Sequence, residues 1–351
     1  MNILSIPKNL NRKIAIITDS EPDDIVALHL MASHYNPSQI ALLGTTIMHA
    51  GRKKVLARRF MNQLGFNSVP VYQGSGGDKK AYYDTASSRP ARTNQNEGKG
   101  ILLKEQLKTI SRSPHSKEEL QVNIRKLLEG AEESTIDFFL LAPPTDLATV
   151  LKETPDLKER IGTIYVMGGW VDDRTTYNWN MDPFSIKTIL QIQNIPIILL
   201  SSHIVRKFLG HGIICPHNYP AVITAMEEAA KKMASVRELF IACKNWNEHF
   251  ISMAPSQLAR NSCNLPDRYF LAADPLLVAM AINSEIVSGT TNVAISLDET
   301  DVNEKGYRVT AKEAPESNIT LITDINIPLF NTTIIEGFKR LSGYHSAIGT
   351  L

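Results

Sequence analysis

Four carboxylates, Asp19, Glu21, Asp23 and Asp24, fall within six residues, directly after the apolar run Lys13-Ile-Ala-Ile-Ile-Thr18. Packing that much negative charge into one corner is costly unless something positive binds there. Acidic oxygens are the ligands that a hard cation such as Ca²⁺ or Mg²⁺ takes. The corner therefore reads as a metal site. Acids in a first helical turn are also favoured by the unpaired N–H groups and the dipole of the helix, so capping alone is the competing reading of this stretch.

The elements that must hold this corner are legible on either side of it. Lys13 to Thr18 is a short β-branched run of the kind that makes a buried parallel strand. From Ile25 the apolar residues Ile25, Val26, Leu28, Leu30 and Met31 fit one broad helical face, and Pro22 suits a helical first turn. Asp19 to Asp24 is then a strand-to-helix corner at the carboxyl end of a strand, where open α/β sheets place their ligands.

The same alternation runs along the chain. Strands are expected at Ile40 to Met48, Val69 to Gly74, Ile136 to Ala142, Ile161 to Gly169, Ile195 to Leu200 and Ile319 to Ile327. Helices are expected at Lys53 to Leu64, Ser116 to Leu128, Leu147 to Leu151, after Asp182-Pro183, through most of Tyr219 to Phe250, at Leu271 to Ile282 and at Phe330 to Leu341. Ala294 to Leu297 and Tyr307 to Thr310 read as an antiparallel pair, and Ser75 to Gly100 as a long surface loop. This spacing predicts an α/β fold with an open, mainly parallel sheet flanked by helices. With 351 residues and nothing that favours a cut, residues 1–351 are taken as a single domain.

Lys+Arg 37 against Asp+Glu 36 leaves a net charge of +1, so there is no global field to draw nucleic acid or an anionic membrane. Cys215, Cys243 and Cys263 are widely spaced without a metal-ligand pattern, which suits reduced thiols and a cytoplasmic location. Met1 to Arg12 lacks the apolar core of an export signal, and no run approaches a membrane span.

Several later motifs bear on the acidic corner. They are Ala142-Pro-Pro-Thr145-Asp146 after a middle strand, Val166-Met167-Gly168-Gly169, Tyr177-Asn178 followed by Asp182-Pro183, and Asp274-Pro-Leu-Leu-Val-Ala opening a late helix. In this order, with Asp19-x-x-x-Asp23-Asp24 in front, the chain resembles the inosine–uridine nucleoside hydrolase family from Lys13 to about Leu341. The resemblance implies an open α/β fold with Ca²⁺ at the carboxyl ends of its strands, and hydrolysis of the N-glycosidic bond of a small-molecule N-riboside. It implies Asp19, Asp24, the Thr145 carbonyl and Asp274 as metal ligands, and Asp23 as the general base. Asn178, Met167, Thr176 and His49 are the implied substrate-binding positions. A homo-oligomer is also implied. Elementary chemistry agrees, since a cation acidifies water and a neighbouring carboxylate can take the proton.

Departures from the family pattern cluster on the sugar and the leaving group. The usual corner Asp-x-Asp-Pro-Gly-x-Asp-Asp has Ile17 at its first position here, and Ser20-Glu21-Pro22 in place of Pro-Gly-x, a form that resembles a divergent branch. Thr176 stands where a Glu usually reaches the ribose, Ala50 where an Asn is expected, with His49 adjacent, and Ala273 where some members carry a His that protonates the departing base. These changes point to a 5′-substituted or phosphorylated ribosyl substrate, with Lys79, Lys80 and Arg92 in the long loop as candidate anion partners. The second reading is a catalytically weak or inactive Ca²⁺-containing protein that binds a ribosyl ligand. Trp170, Tyr177 and Trp179 are candidates for stacking on a base or for core packing. Arg52-Lys53-Lys54 and Arg58-Arg59 read as the solvated face of a helix.

Overall fold

Alternate residues of the first strand enter two different apolar clusters, Ile14 and Ile16 on one side and Ala15 and Ile17 on the other. Such a strand must be covered on both faces, which is the condition for a helix-flanked parallel sheet. The structure is a computed structural model. It describes residues 12–47, 49–76, 98–103, 118–169, 171, 173–209, 212–253, 270–303 and 306–348. In chain order the strands are β1 (Lys13–Thr18), β2 (Ile40–Thr45), β3 (Val71–Gln73), β4 (Ile136–Leu140), β5 (Ile161–Met167), β6 (Ile197–Leu200), β7 (Ile213–Ile214), β8 (Phe270–Leu271), β9 (Val287–Asn303), β10 (Gly306–Glu313) and β11 (Ile319–Ile325).

Nine of these strands form one sheet in the order β10-β9-β11-β6-β5-β4-β1-β2-β3. From β11 to β3 every neighbouring pair is parallel, while β9 runs antiparallel to both β11 and β10. The expected open, mainly parallel α/β sheet is therefore present. After β1 the chain adds β2 and β3 on one flank, then returns to add β4 on the other, so the strand order reverses between β1 and β4. Connections leaving β1 and β4 go to opposite faces and open a crevice at the carboxyl edge. Residues from α1 (Pro22–His34) and from the helix Ala50–Gln63 join the first apolar cluster. Those of the helices Glu119–Glu129, Thr145–Glu153 and Pro183–Leu190 join the second. The acidic corner after β1 and the Thr145 turn after β4 thus flank the reversal point.

Several elements differ from the sequence expectation. β2 ends at Thr45 because Ile47 (φ 64°) and His49 (φ 59°) turn the chain sharply; Met48 lies outside the described residues. The antiparallel pair is longer than expected, since β9 pairs β11 with its first half and β10 with its second. Nor does α1 bury just one face. Pro22 to Met31 are all buried, because α1 lies between the sheet and the outer helices Ala273–Ile282, Ala234–Met253 and Ile327–Ile348. Of the basic residues expected on a solvated face, Lys53 is fully buried, whereas Arg52, Lys54, Arg58 and Arg59 remain partly exposed, Arg59 bonding Glu238 at 2.7 and 2.5 Å. The start of the helix expected from Ser116 and most of the long loop lie outside the described residues. Among the described residues, no helix is long and apolar enough to cross a membrane.

Candidate metal centre

The corner after β1 is tied together mainly by one of its own acids. Asp24 Oδ1 accepts the Thr18 hydroxyl at 2.5 Å and the Asp19 amide at 3.2 Å, and its Oδ2 accepts the Glu21 amide at 3.1 Å. Ser20, at φ 58°, makes the reversal, and its amide donates to Thr18 Oγ1 at 3.0 Å. Glu21 and Asp24 form a reciprocal capping box, and Pro22 sits in the first turn. The capping reading is therefore correct for part of the corner. It leaves Asp19 and Asp23 unexplained.

Asp274 comes from the other end of the chain. It lies in the first turn of the helix Ala273–Ile282, which packs on α1. Just ahead of it β8 pairs antiparallel with β7, and the Ala272 amide donates to the Gly212 carbonyl at 2.7 Å. Carboxylate oxygens of Asp23, Asp24 and Asp274, all buried, lie within 4.8 Å of one another. Burial pushes the Asp23 carboxyl up to about 7, with the charge of Asp19 adding to it. Asp24 is raised by burial, then by Asp19 and Asp274, and Asp274 by burial, then by Asp23, Asp19 and Glu21. Asp274 Oδ1 is buried with no hydrogen-bond partner. An orphaned carboxylate oxygen facing like charges fits an all-oxygen cation site, since a divalent ion would satisfy it and reverse the repulsion.

The remaining positions singled out in the sequence lie along the same edge, most of them engaged with the protein. Thr145 starts its helix beside β4; its carbonyl accepts the Thr149 hydroxyl at 2.8 Å and its hydroxyl donates to Asp182 Oδ2 at 2.5 Å. Asp182 also caps the next helix by accepting the Ser185 amide at 3.0 Å. Asn178 Nδ2 donates to the Leu141 carbonyl at 2.6 Å, and Thr176 Oγ1 accepts the Gly169 amide at 2.9 Å. Met167, half-buried, ends β5. His49 is exposed at the start of its helix, and partial desolvation, then Arg52 and Lys53, lower its pKa. Trp179 is core, fully buried beneath Gly168 and Gly169, and does not offer a face to a base. Trp170 lies outside the described residues.

Sequence reasoning missed the wall supplied by the helix Ala234–Met253. Trp246 Nε1 donates to Glu21 Oε2 at 3.2 Å, and the charge of Asp23 reaches the buried Cys243 thiol, which burial, with that charge adding, pushes upward. Cys243 and Trp246, three apart on one helical face, were the available signal. Without the fold, nothing connected that face to a corner over 200 residues away.

Residues 14–332 match the family described as "Inosine-uridine preferring nucleoside hydrolase". Among solved structures, the purine-preferring ribonucleoside hydrolase from Gardnerella vaginalis superposes with a TM-score of 0.70 at 18% identity, covering 94% of this chain and 99% of that one. The inosine-uridine preferring nucleoside hydrolase from Bacillus anthracis gives 0.56 at 17% identity, with the same coverages of 94% and 99%. The type III effector protein XopQ, in complex with adenosine diphosphate ribose, gives 0.61 at 14% identity, covering 95% and 94%. No curated protein sequence matches the chain.

Proposed function

The chain belongs to the inosine-uridine preferring nucleoside hydrolase family, and from that premise we propose that it is a Ca²⁺-dependent hydrolase of the N-glycosidic bond of a ribonucleoside or related N-ribosyl compound. The observation that carries this reading is the buried, unpartnered Asp274 Oδ1 beside Asp23 and Asp24 at the carboxyl edge of the sheet. By the family pattern Asp19, Asp24, the Thr145 carbonyl and Asp274 would hold the cation, whereas the carboxylates whose oxygens converge are those of Asp23, Asp24 and Asp274. When bound, Ca²⁺ supplies positive charge that acidifies water and engages sugar hydroxyls. Asp23 takes the proton from the attacking water, and a neighbouring cation would keep its buried carboxyl ionised and so able to accept it. The anionic walls favour the positive charge that develops on the sugar as the glycosidic bond breaks. Ala273, buried next to Asp274, has no proton to give a departing base.

We further place the chain in a branch defined by its Ser20-Glu21-Pro22 corner, as one domain over 1–351, in the cytoplasm, acting on a ribosyl compound substituted at its 5′ side. Support for the branch comes from Glu21, which both caps α1 and accepts Trp246. Support for one domain comes from a sheet whose strands are drawn from both ends of the chain. The buried free thiols Cys215 and Cys243 suit a reducing compartment. A second reading, ligand binding without turnover, is favoured by the commitment of Thr176 and Asn178 to backbone groups. Turnover of a nucleoside and ADP-ribosyl panel with and without a calcium chelator separates the two. Calcium-dependent release of free base or ribose is expected, and binding with no release would leave the second reading standing.

A further inference from the structure

The segment that carries Thr176 and Asn178 is fastened to the far, antiparallel edge of the sheet. The Val309 amide donates to the Asp173 carbonyl at 3.1 Å and the Thr175 amide to the Tyr307 carbonyl at 2.9 Å, with an antiparallel bridge between Arg174 and Arg308. Residues 173–175 therefore lie on β10 as a short added strand. Arg174 Nη1 reaches the Asp301 carbonyl at 2.8 Å and Asp301 Oδ1 at 2.7 Å, near the turn of the β9–β10 hairpin. Thr175, 3% exposed, is the centre of this contact: its hydroxyl accepts the Tyr307 amide at 2.9 Å and donates to Asn180 Oδ1. Gly306, at φ 124°, has no space for a Cβ, because Thr175 Oγ1 and Asn180 Oδ1 occupy it.

On the other side the same segment touches the site edge. Thr176 meets the glycine corner after β5, and Asn178 meets the end of β4. One hydroxyl thus connects the hairpin to Asn180, which shares the short helix Tyr177–Met181 with Asn178 and whose amide donates to the Thr176 carbonyl at 2.8 Å. We propose that Thr175 is a positioning residue: by bonding β10 and Asn180 at once, it sets the placement of Thr176 and Asn178 and hence how tightly a ribosyl group is held. The choice of substrate rests on the N-ribosyl hydrolase reading, whereas the clamp rests on the hydrogen bonds alone. Thr175 touches neither the acidic cluster nor the reacting bond in this scheme. Its loss should act on binding of the sugar more than on the chemical step.

The test compares Thr175→Val, which keeps the shape and removes both hydroxyl bonds, with Thr175→Ser, which keeps the hydroxyl. With bound calcium retained, Thr175→Val should raise KM for the best ribosyl substrate by on the order of tenfold while kcat stays within about threefold, and Thr175→Ser should restore KM. Amide hydrogen exchange over residues 173–180, read on the same proteins, should quicken in the valine variant and recover in the serine variant. An unchanged KM in Thr175→Val, equal damage from valine and serine, or unchanged exchange overturns the clamp. If the wild-type protein hydrolyses nothing on the panel, the proposed function falls. The clamp is then decided by the exchange comparison, supported if protection drops with valine and returns with serine, and rejected if it does not.

Discussion

Asp23 is held at the carboxyl edge by α1 and faces Asp24 and Asp274, and its charge is opposed by burial first and by Asp19 second. The proposed role as general base predicts that Asp23→Asn keeps the fold and the metal content of the wild type but loses on the order of 10²–10⁴ in rate, the usual worth of proton abstraction. Near-wild-type turnover in that variant would move the base elsewhere. The same carboxyl also predicts a pH dependence for calcium-stripped protein. Its folded pKa of about 7 lies above the ordinary 3.8, so between these values the folded state binds more protons than the unfolded state. Stability is then fully present below the lower value and is lost as pH rises through about 7. Melting of stripped protein should occur at higher temperature at about pH 5.5 than at about pH 7.5, and calcium should remove the difference by favouring the ionised acids. A melting temperature that rises with pH in the stripped protein would contradict this account.

The late helix Ala273–Ile282 matters as a carrier of one charge into a cluster built by α1. Asp274→Ala should lose about one equivalent of calcium by elemental analysis while retaining the sheet, because Asp274 bonds nothing that holds the fold at Oδ1. Zinc in well-folded wild-type protein, or calcium retained in the variant, would reject the ligand assignment. The glycine corner after β5 has a different role. Gly169 sits at φ 78°, and a Cβ there would meet the Trp179 ring at 2.7 Å. Gly169→Ala should therefore lower the unfolding free energy by at least the roughly 1–3 kcal/mol of a strained left-handed residue, read from denaturant melts. A stability equal to wild type would show that the corner relaxes freely.

At the scale of the whole molecule, the fold brings Asp274 to Asp23 and Asp24 near the strand-order reversal between β1 and β4, and the antiparallel extension β9–β10 is bonded to Thr175, next to Thr176. Thr176 brings no charge to the position where a Glu is usual, so an anionic 5′ substituent meets one less like charge there. Comparing kcat/KM for inosine and uridine with that for their 5′-monophosphates and an ADP-ribosyl compound tests this. The substituted compounds should win, and free nucleosides winning by tenfold, about 1.4 kcal/mol, would reverse the assignment.

The sequence by itself determined the α/β class, the strand–corner–helix unit from Lys13 to His34 and the family, because these rest on local signals: a β-branched run, dense acids, a proline in a first turn, and motifs in a fixed order. The two-residue strands β7 and β8, which bring the chain to Asp274, were too short to leave a periodic pattern. Trp179 carried no sign of whether it faced a ligand or the core until Gly168 and Gly169 were seen to close over it. Lys53 looked like a solvated charge beside its partly exposed neighbours, since charge alone does not reveal which side chain of a helix turns inward. Only the tertiary structure decided which carboxylates meet, which oxygen goes unpaired and which hairpin bonds Thr175, because each depends on groups separated by more than 100 residues and brought together by strand order.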